Sequence, residues 1–359
     1  MENKVKKRVL VLPSDENGSG WYRMIQPYGR VVSGGVVFDV KFLEGEVDGV
    51  YLSELFGGYD GILCQRVFDW GLLGHLRKFQ EGGGIVVMDC DDLLMNIPSF
   101  NISRVFWDGD KLKGYREAMR ICDYLHSSTE ELSGAMGYRG KTCIFKNAVD
   151  ISVKLGVDAE QHFRGCLGIP MGMKVIMWGG STGHNDTLEF LLPIIKHYST
   201  VEGVVVVLVG NRSWMAKFGV VESESVFIID SMELKDYLYL PAMADVFLTP
   251  LMGNLEFNRC KSELKVLEAG IWGVPCVSSD VEPYRRFNVI CGGGNVLVKN
   301  KFSDWVSAIN RLLIGGELYD LKSREIYEGV STMYNIDTVN AQRVAWWESV
   351  LLDCEKHSE

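Results

Sequence analysis

The sequence predicts an α/β protein made of two doubly wound parallel-sheet domains that face each other across a cleft. Three observations carry this expectation. "KKRVLVLPSDENGSGWYR" and "MGMKVIMWGGSTGHNDTLEF" share one plan: a short basic lead, an apolar strand, a small-residue loop and an amphipathic segment. That plan opens a parallel sheet whose ligand loops follow its strands. Near-continuous Val/Ile runs such as "GVVVVLVG" fit strands buried on both faces. The length of 359 residues exceeds one ordinary core and suits two domains.

In the first half, strands are expected at "KKRVLVL", "VVFDVKFL", "YDGILCQ", "GGGIVVMDC", "CDYLHSS" and "KTCIFKN", with helices at "GLLGHLRKFQEG" and "GYREAMR". In the second half they are expected at "KVIMWG", "GVVVVLVG", "SVFIID", "ADVFLTP", "VPCVSS" and "GNVLVK". Helices there are expected at "TLEFLLPIIKHY", "LKDYLYLPAM" and "SDWVSAINRLL". Residues 158–172 carry Gly and Pro without a strand pattern and read as the boundary. The domains are therefore set at 1–165 and 166–335. Residues 336–359 are set as a C-terminal helix able to cross back to the first domain, because its two tryptophans need an apolar surface to cover.

Composition narrows the function. Hydrophobic residues make up 47% and charged residues 23%, the balance of a soluble globular protein. A net charge of −10 without any basic block argues against broad coating of nucleic acid, although a local basic cleft is compatible with it. The nine cysteines include no C-x-x-C pair and read as reduced thiols. The N-terminal apolar run falls short of the ~7–15 residues of a signal peptide core, and no run approaches the ~18 of a membrane span. A cytoplasmic protein is expected.

"NRCKSELKVLEAGIWGVPCVSSDVEPY" reads as a helix running into a strand. Lys261 and Lys265 would occupy its first turns, where the helix dipole disfavours cations. Lys261, Lys265 and Glu268 are spaced i, i+4 and i+7 and would share one face, beside a stripe of Leu264, Leu267 and Ile271. Two explanations stand. Lys265 and Glu268 form a solvated pair worth tenths of a kcal/mol, or an anion sits between the lysines, Ser262 and the free N–H groups of the helix start.

These residues carry a resemblance. "KSELKVLEAGIWGVPCVSSDVEPY" resembles the signature of nucleotide-sugar glycosyltransferases with two facing Rossmann-like domains (the GT-B fold), in the retaining family of glycogen synthases and mannosyltransferases. The similarity extends through "ADVFLTPL", "VVLVGN", "WGGSTGH" and "GGGNVLV". In the first half, "NGSGWYR", "VVMDCDD" and "FKNAVD" are similar to glycosyltransferases carried by tailed bacteriophages. The resemblance implies transfer from a nucleoside diphosphate sugar, with a UDP-sugar as the guess, to an acceptor hydroxyl, and no further cofactor. It implies that Glu268 accepts the ribose hydroxyls and that Lys261, Ser262 and Lys265 hold the diphosphate. The loops with Gly18 and Gly20, and with Gly180, Ser181 and His184, would approach that diphosphate closely. Two departures stand out. Cys260 replaces a second acid common in relatives, which shifts sugar contacts to Glu256 or Asn258, and the usual Arg after the first strand of the second domain is missing.

In the first half, Arg23 follows the Gly-rich loop and can donate a bidentate pair to phosphate or acceptor, or lie on the surface. Trp21 and Tyr22 either pack or face the acceptor. Asp89, Asp91 and Asp92 crowd one strand end. Under the resemblance Asp89 or Asp91 orients sugar or acceptor hydroxyls. In the other major glycosyltransferase fold an Asp-x-Asp holds a divalent metal, and Asp91 or Asp92 can also cap the next helix. Gln65, Arg66 and Ser128 end neighbouring strands on the acceptor side, while His126 reads as structural. The acceptor is open between DNA, protein, glycan and small molecule. A DNA acceptor, with hydroxymethylated bases, would call on Arg23, Arg30, Arg66, Lys78 and Arg104. A dehydrogenase would need a Gly-x-Gly-x-x-Gly that neither half supplies. A non-catalytic nucleotide- or sugar-binding module is the remaining rival.

Overall fold

The computed structural model describes residues 6–31, 34–43, 48–154 and 158–355, excepting the side chains of 352–355. Most of the N-terminal basic lead and the end of the last expected helix lie outside these residues. The first sheet comprises β1 (Lys7–Leu12), β2 (Val36–Val40), β3 (Gly61–Gln65), β4 (Ile85–Cys90), β5 (Tyr124–Ser127) and β6 (Lys141–Ile144). Their order is β2-β1-β3-β4-β5-β6, parallel throughout. The second comprises β7 (Lys174–Gly179), β8 (Val204–Val209), β9 (Val226–Ile229), β10 (Val246–Thr249), β11 (Cys276–Ser279) and β12 (Asn295–Val298). Their order is β12-β11-β10-β7-β8-β9, again parallel. All twelve expected strands are present. Both sheets reverse direction of travel beside their first strand, which is where parallel sheets open a crevice for ligands.

Local chemistry fixes the helices around the first sheet. Asp69 accepts from the Leu72 N–H to start Trp70–Glu81, and Asp108 does the same for Gly109–Ile121. Thr129 caps Glu130–Met136, which ends on Gly137 at φ 66°. In the second half, helix Glu317–Met333 has no counterpart in the sequence reading. Only Ile326, Gly329 and Val330 of it are buried, too narrow a stripe for a visible period. The expected helix "LKDYLYLPAM" is two short pieces, Leu234–Tyr237 and a 3-10 turn Leu240–Met243, because Pro241 cannot supply an N–H.

Residues 158–172, read from the sequence as the domain boundary, contain a helix. Asp158 caps a helix Ala159–Leu167, and Gly168 ends it at φ 68°. Phe163 and Leu167 pack against the second core, and Arg164 binds Asp245 at 3.0 Å and the Met173 carbonyl at 2.7 Å. A cut at residue 165 falls inside this helix, which packs with the second domain. Its polar sequence disguises one buried face.

Helix Ile336–Glu355 lies on the first sheet. Trp347 is buried with Val9, Val11 and Leu63, and Trp346 meets Tyr124, His126 and Phe145. Asn340 donates to the Pro27 carbonyl at 2.7 Å. Phe257 and Cys260, from the second domain's chain, bury in the first domain's core. The eight cysteines with described side chains are free, and Cys354 lies outside them. Among the described residues, no helix is long and apolar enough to cross a membrane.

Candidate functional site: a charged cavity between the domains

A cavity of about 570 Å³ opens between the strand ends of the two sheets. On the first-domain side the chain leaves β1 and turns at Asp15–Gly20. A Cβ at Gly20 would overlap the Asp15 carbonyl oxygen, whereas one at Gly18 would meet nothing. Gly20 therefore closes the loop on itself, and Gly18 is the glycine that lines the cavity. A π-helical turn follows at Trp21–Ile25, a rare geometry concentrated at functional sites. It turns Tyr22 and Arg23 inward.

Arg23 grips Asp89 with two bonds, Nε to Oδ1 at 2.9 Å and Nη2 to Oδ2 at 2.6 Å. It also donates to Asn147 Oδ1 at 3.1 Å and to the Phe145 carbonyl. Arg23 is 1% exposed and Asp89 2%. Asp89 thus spends both oxygens inside the domain and does not line the cavity.

Asp91 and Asp92 do line it. Burial alone would raise the Asp91 carboxyl, but Arg66, the Ser19 hydroxyl and Arg23 hold it below the usual carboxylate range. Arg66 reaches Asp91 at 3.1 Å and Asp15 at 3.6 Å. Among the described residues Arg66 is the one non-glycine with positive φ, at 52°; such backbone conformations persist where surrounding contacts over-determine them. Gln65 braces the loop from β3, donating to Ser19 Oγ at 2.9 Å and accepting from Ser14 Oγ at 3.0 Å. Ser128 donates to the Asp91 carbonyl at 3.4 Å from behind the cavity wall.

On the second-domain side, β7 delivers Gly179, Ser181–Gly183 and His184 to the start of helix Asn185–Tyr198. Gly180 has no room for a side chain because the Trp178 ring lies against it. Burial and the nearby Lys261 and Lys265 push His184 down to about 3, so the imidazole is neutral.

The lysine segment departs from one continuous helix. It forms Glu256–Arg259, a break, and Leu264–Gly270. Arg286 enforces the break by binding Glu263 at 2.9 Å and the Lys261 carbonyl at 2.9 Å. Lys261 therefore precedes the second helix and does not share a helical face with Lys265 and Glu268. Lys261, Ser262 and Lys265 still enter one cavity. Lys261 meets Asp92 across the cleft at 3.0 Å, and Asn147 donates to Ser262 Oγ at 2.8 Å.

Glu268 is 2% exposed. Its Oε1 accepts from the Tyr22 hydroxyl at 3.0 Å, and its Oε2 accepts from Tyr237 at 2.9 Å and Lys265 at 3.1 Å. Burial opposes the charge on Lys265, but Glu268 and Tyr237 outweigh it and hold the ammonium above its usual range.

Of the residues singled out in the sequence, Gly18, Tyr22, Arg23, Arg66, Asp91, Ser181, Lys261, Ser262 and Lys265 line the one cavity. Gly20, Trp21, Gln65, Asp89, Ser128, Gly180, Asn258 and Glu268 are not part of its lining. Asn258 donates to the Met252 carbonyl at 3.0 Å, and Glu256 accepts from Asn96 at 2.9 Å. Cys260 points into the first domain towards the Glu131 carbonyl at 3.6 Å. Sequence reasoning passed over Ser19, Asp15 and Asn147. The first two sit in the quoted Gly-rich opening and the third in "FKNAVD", so their neighbours were the only signal. Nothing in "LKDYLYLPAM" pointed to Tyr237.

The metal reading needs Asp89 and Asp91 to converge, but each carboxylate is held by its own arginine. Among the described residues no group of three or more His, Cys, Asp or Glu is placed to hold a metal ion. Of the cations considered for a nucleic-acid wall, Arg66 lines the cavity and Arg104 donates to the Ile97 carbonyl at 3.3 Å. Arg23 is buried on Asp89, Arg30 pairs with Asp150, and Lys78 lines a separate hollow. That hollow of about 720 Å³, lined by the first domain and Leu351 of the C-terminal helix, and another of about 800 Å³ in the first domain lie away from the strand ends that face the cleft.

Residues 173–314 match the family model described as glycosyl transferases group 1. The second domain is a glycosyltransferase domain. The protein is accordingly an enzyme. No curated protein sequence matches the chain. Solved structures match nearly all of it. Anabaena HepE in complex with UDP aligns at TM-score 0.67 and 13% identity, covering 96% of this chain and 100% of that one. Sucrose-phosphate synthase from Thermosynechococcus elongatus aligns at 0.69 and 13%, covering 97% and 100%. An alpha-glucosyltransferase in complex with UDP-glucose and DNA containing an abasic site aligns at 0.63 and 12%, covering 97% and 100%. At these identities the likeness fixes the fold: GT-B, with the glycosyltransferase domain as its second half.

Proposed function

We propose that the protein moves a glycosyl group from a UDP-sugar to an acceptor hydroxyl with retention of anomeric configuration. The observation that carries this reading is the convergence of Lys261, Ser262, Lys265 and the 181–184 loop on one cavity, opposite Asp91 and Arg66. The lysines and Ser262 take the diphosphate, Lys261 by leaving Asp92. The 181–184 loop adds backbone N–H donors at the start of a 14-residue helix. Glu268 takes the ribose hydroxyls. The choice of UDP rests on the fold shared with HepE, which is in complex with UDP.

In the transfer, the bond from the anomeric carbon to the diphosphate oxygen breaks and a bond from that carbon to the acceptor oxygen forms. The acceptor proton passes to the departing phosphate oxygen on the same face. Leaving-group stabilisation by preorganised cations and N–H groups is then the main rate term. Asp91, fixed by Ser19 and Arg66, orients a sugar or acceptor hydroxyl. Asp89 acts one layer back through Arg23, which lines the cavity. Their pairing holds Asn147, which holds Ser262.

The test is UDP release from a panel of UDP-sugars with glycosyl acceptors, followed by NMR of the product's anomeric proton. Release of UDP with an axial donor giving an axial product supports the reading. An inverted product refutes retention, and absence of turnover with every donor returns the binding-module alternative.

A further inference from the structure

Tyr22 belongs to the first domain, yet its ring is buried in the second domain's core with Leu267, Tyr237 and Tyr284. Its hydroxyl crosses the domain boundary to Glu268 Oε1 at 3.0 Å. The other oxygen of Glu268 is already shared by Tyr237 and Lys265, so Oε1 is the oxygen with coordination to spare. A carboxylate 2% exposed cannot receive a ligand's hydroxyls until one of its neighbours moves. Tyr237 is held on both sides, by Glu268 and Lys265, within its own domain. Among the described residues the Tyr22 hydroxyl makes this one hydrogen bond, and Tyr22 lines the cavity.

We propose that Tyr22 is a positioning residue that competes with the nucleotide ribose for Glu268 and so reports donor binding to the first domain. This rests on the reading of Glu268 as the ribose acceptor. Tyr22 sits in the same π-helical turn as Arg23, three residues after Ser19, whose hydroxyl holds Asp91. When the ribose hydroxyls take Oε1, the Tyr22 hydroxyl must leave, and the turn that carries it adjusts the residues facing sugar and acceptor. Burial, with Glu268 next, keeps the Tyr22 hydroxyl protonated far above neutral pH, so it always competes as a donor.

Tyr22→Phe keeps the ring and deletes the competitor. Isothermal titration should show UDP binding tighter in Y22F by roughly tenfold, the worth of one hydrogen bond to a charged acceptor. The gain should vanish with 2′,3′-dideoxy-UDP, which has no hydroxyl to offer Glu268. In turnover, KM for the donor should fall while kcat falls too, because the first domain no longer senses the ribose. Equal or weaker UDP binding in Y22F overturns the proposal while leaving the donor site standing. Failure of wild type to bind any nucleoside diphosphate overturns the donor-site reading instead, and this one with it. Should Y22F fold poorly, a crystal structure of the wild type with UDP decides the matter. Tyr22 still within hydrogen-bond distance of Glu268 beside a bound ribose refutes the competition.

Discussion

Lys261 of the second domain and Asp92 of the first meet at 3.0 Å across the cleft, with 22% and 27% of their side chains exposed. A pair this wet contributes at most about 1 kcal/mol to stability. Its consequence lies in binding, since Asp92 holds a cation that a phosphate would otherwise use. Asp92→Asn should leave urea stability within about 1 kcal/mol of wild type. It should also tighten UDP several-fold by titration calorimetry, with the gain shrinking as salt rises.

Arg23 and Asp89 present the opposite case, a bidentate pair almost wholly out of water. Removing one partner strands the other charge, which costs about 3–5 kcal/mol. Asp89→Ala should therefore lower the unfolding free energy by that amount in urea titrations. A variant that loses activity with full stability would place Asp89 on the substrate instead.

The two glycines of the opening loop should separate cleanly. Gly20→Ala drives a methyl into the Asp15 carbonyl and should destabilise the protein and displace Ser19 from Asp91. Gly18→Ala meets open space and should fold normally. If Gly18→Ala alone weakens UDP binding, the donor comes close to that backbone.

His126 gives a pH signature. Both ring nitrogens are buried between Phe145 and Trp346, without a hydrogen-bond partner among the described residues. Burial first, then Arg23 and Arg343, holds its pKa well below 6.5. The unfolded chain binds a proton there that the native state refuses, so stability is full above about pH 6.5 and falls as pH drops below it. The slope from this residue is up to about 1.4 kcal/mol per pH unit. His184, pushed down to about 3, acts in the same sense. Urea titrations from pH 8 to 5 should show the loss, and His126→Phe should remove one residue's share of the slope.

The sheets were legible because the buried parallel strands, such as Val204–Val209, write their burial directly as apolar runs. Helix Glu317–Met333 was not, since its buried stripe is only three residues. In the site, the residue types around Lys261 and Lys265 were readable, but the break at 260–263 was not. It depends on Arg286, more than twenty residues onward, and on Glu131 in the other domain. The same holds for Tyr22 and Tyr237. Aromatic residues in amphipathic stretches look like packing, and these two pack and also donate to Glu268. Neither the cross-domain contact of Tyr22 nor the contacts of Tyr237 within its own domain leave a period in their segments.

The most direct test of the donor site is calorimetric titration of UDP into wild type, Lys261→Ala and Lys265→Ala with EDTA present. The account predicts metal-free binding by wild type and a loss of at least about tenfold in each variant, as for a charge-assisted contact to phosphate. Binding that requires a divalent metal, or equal affinity in all three proteins, would contradict it.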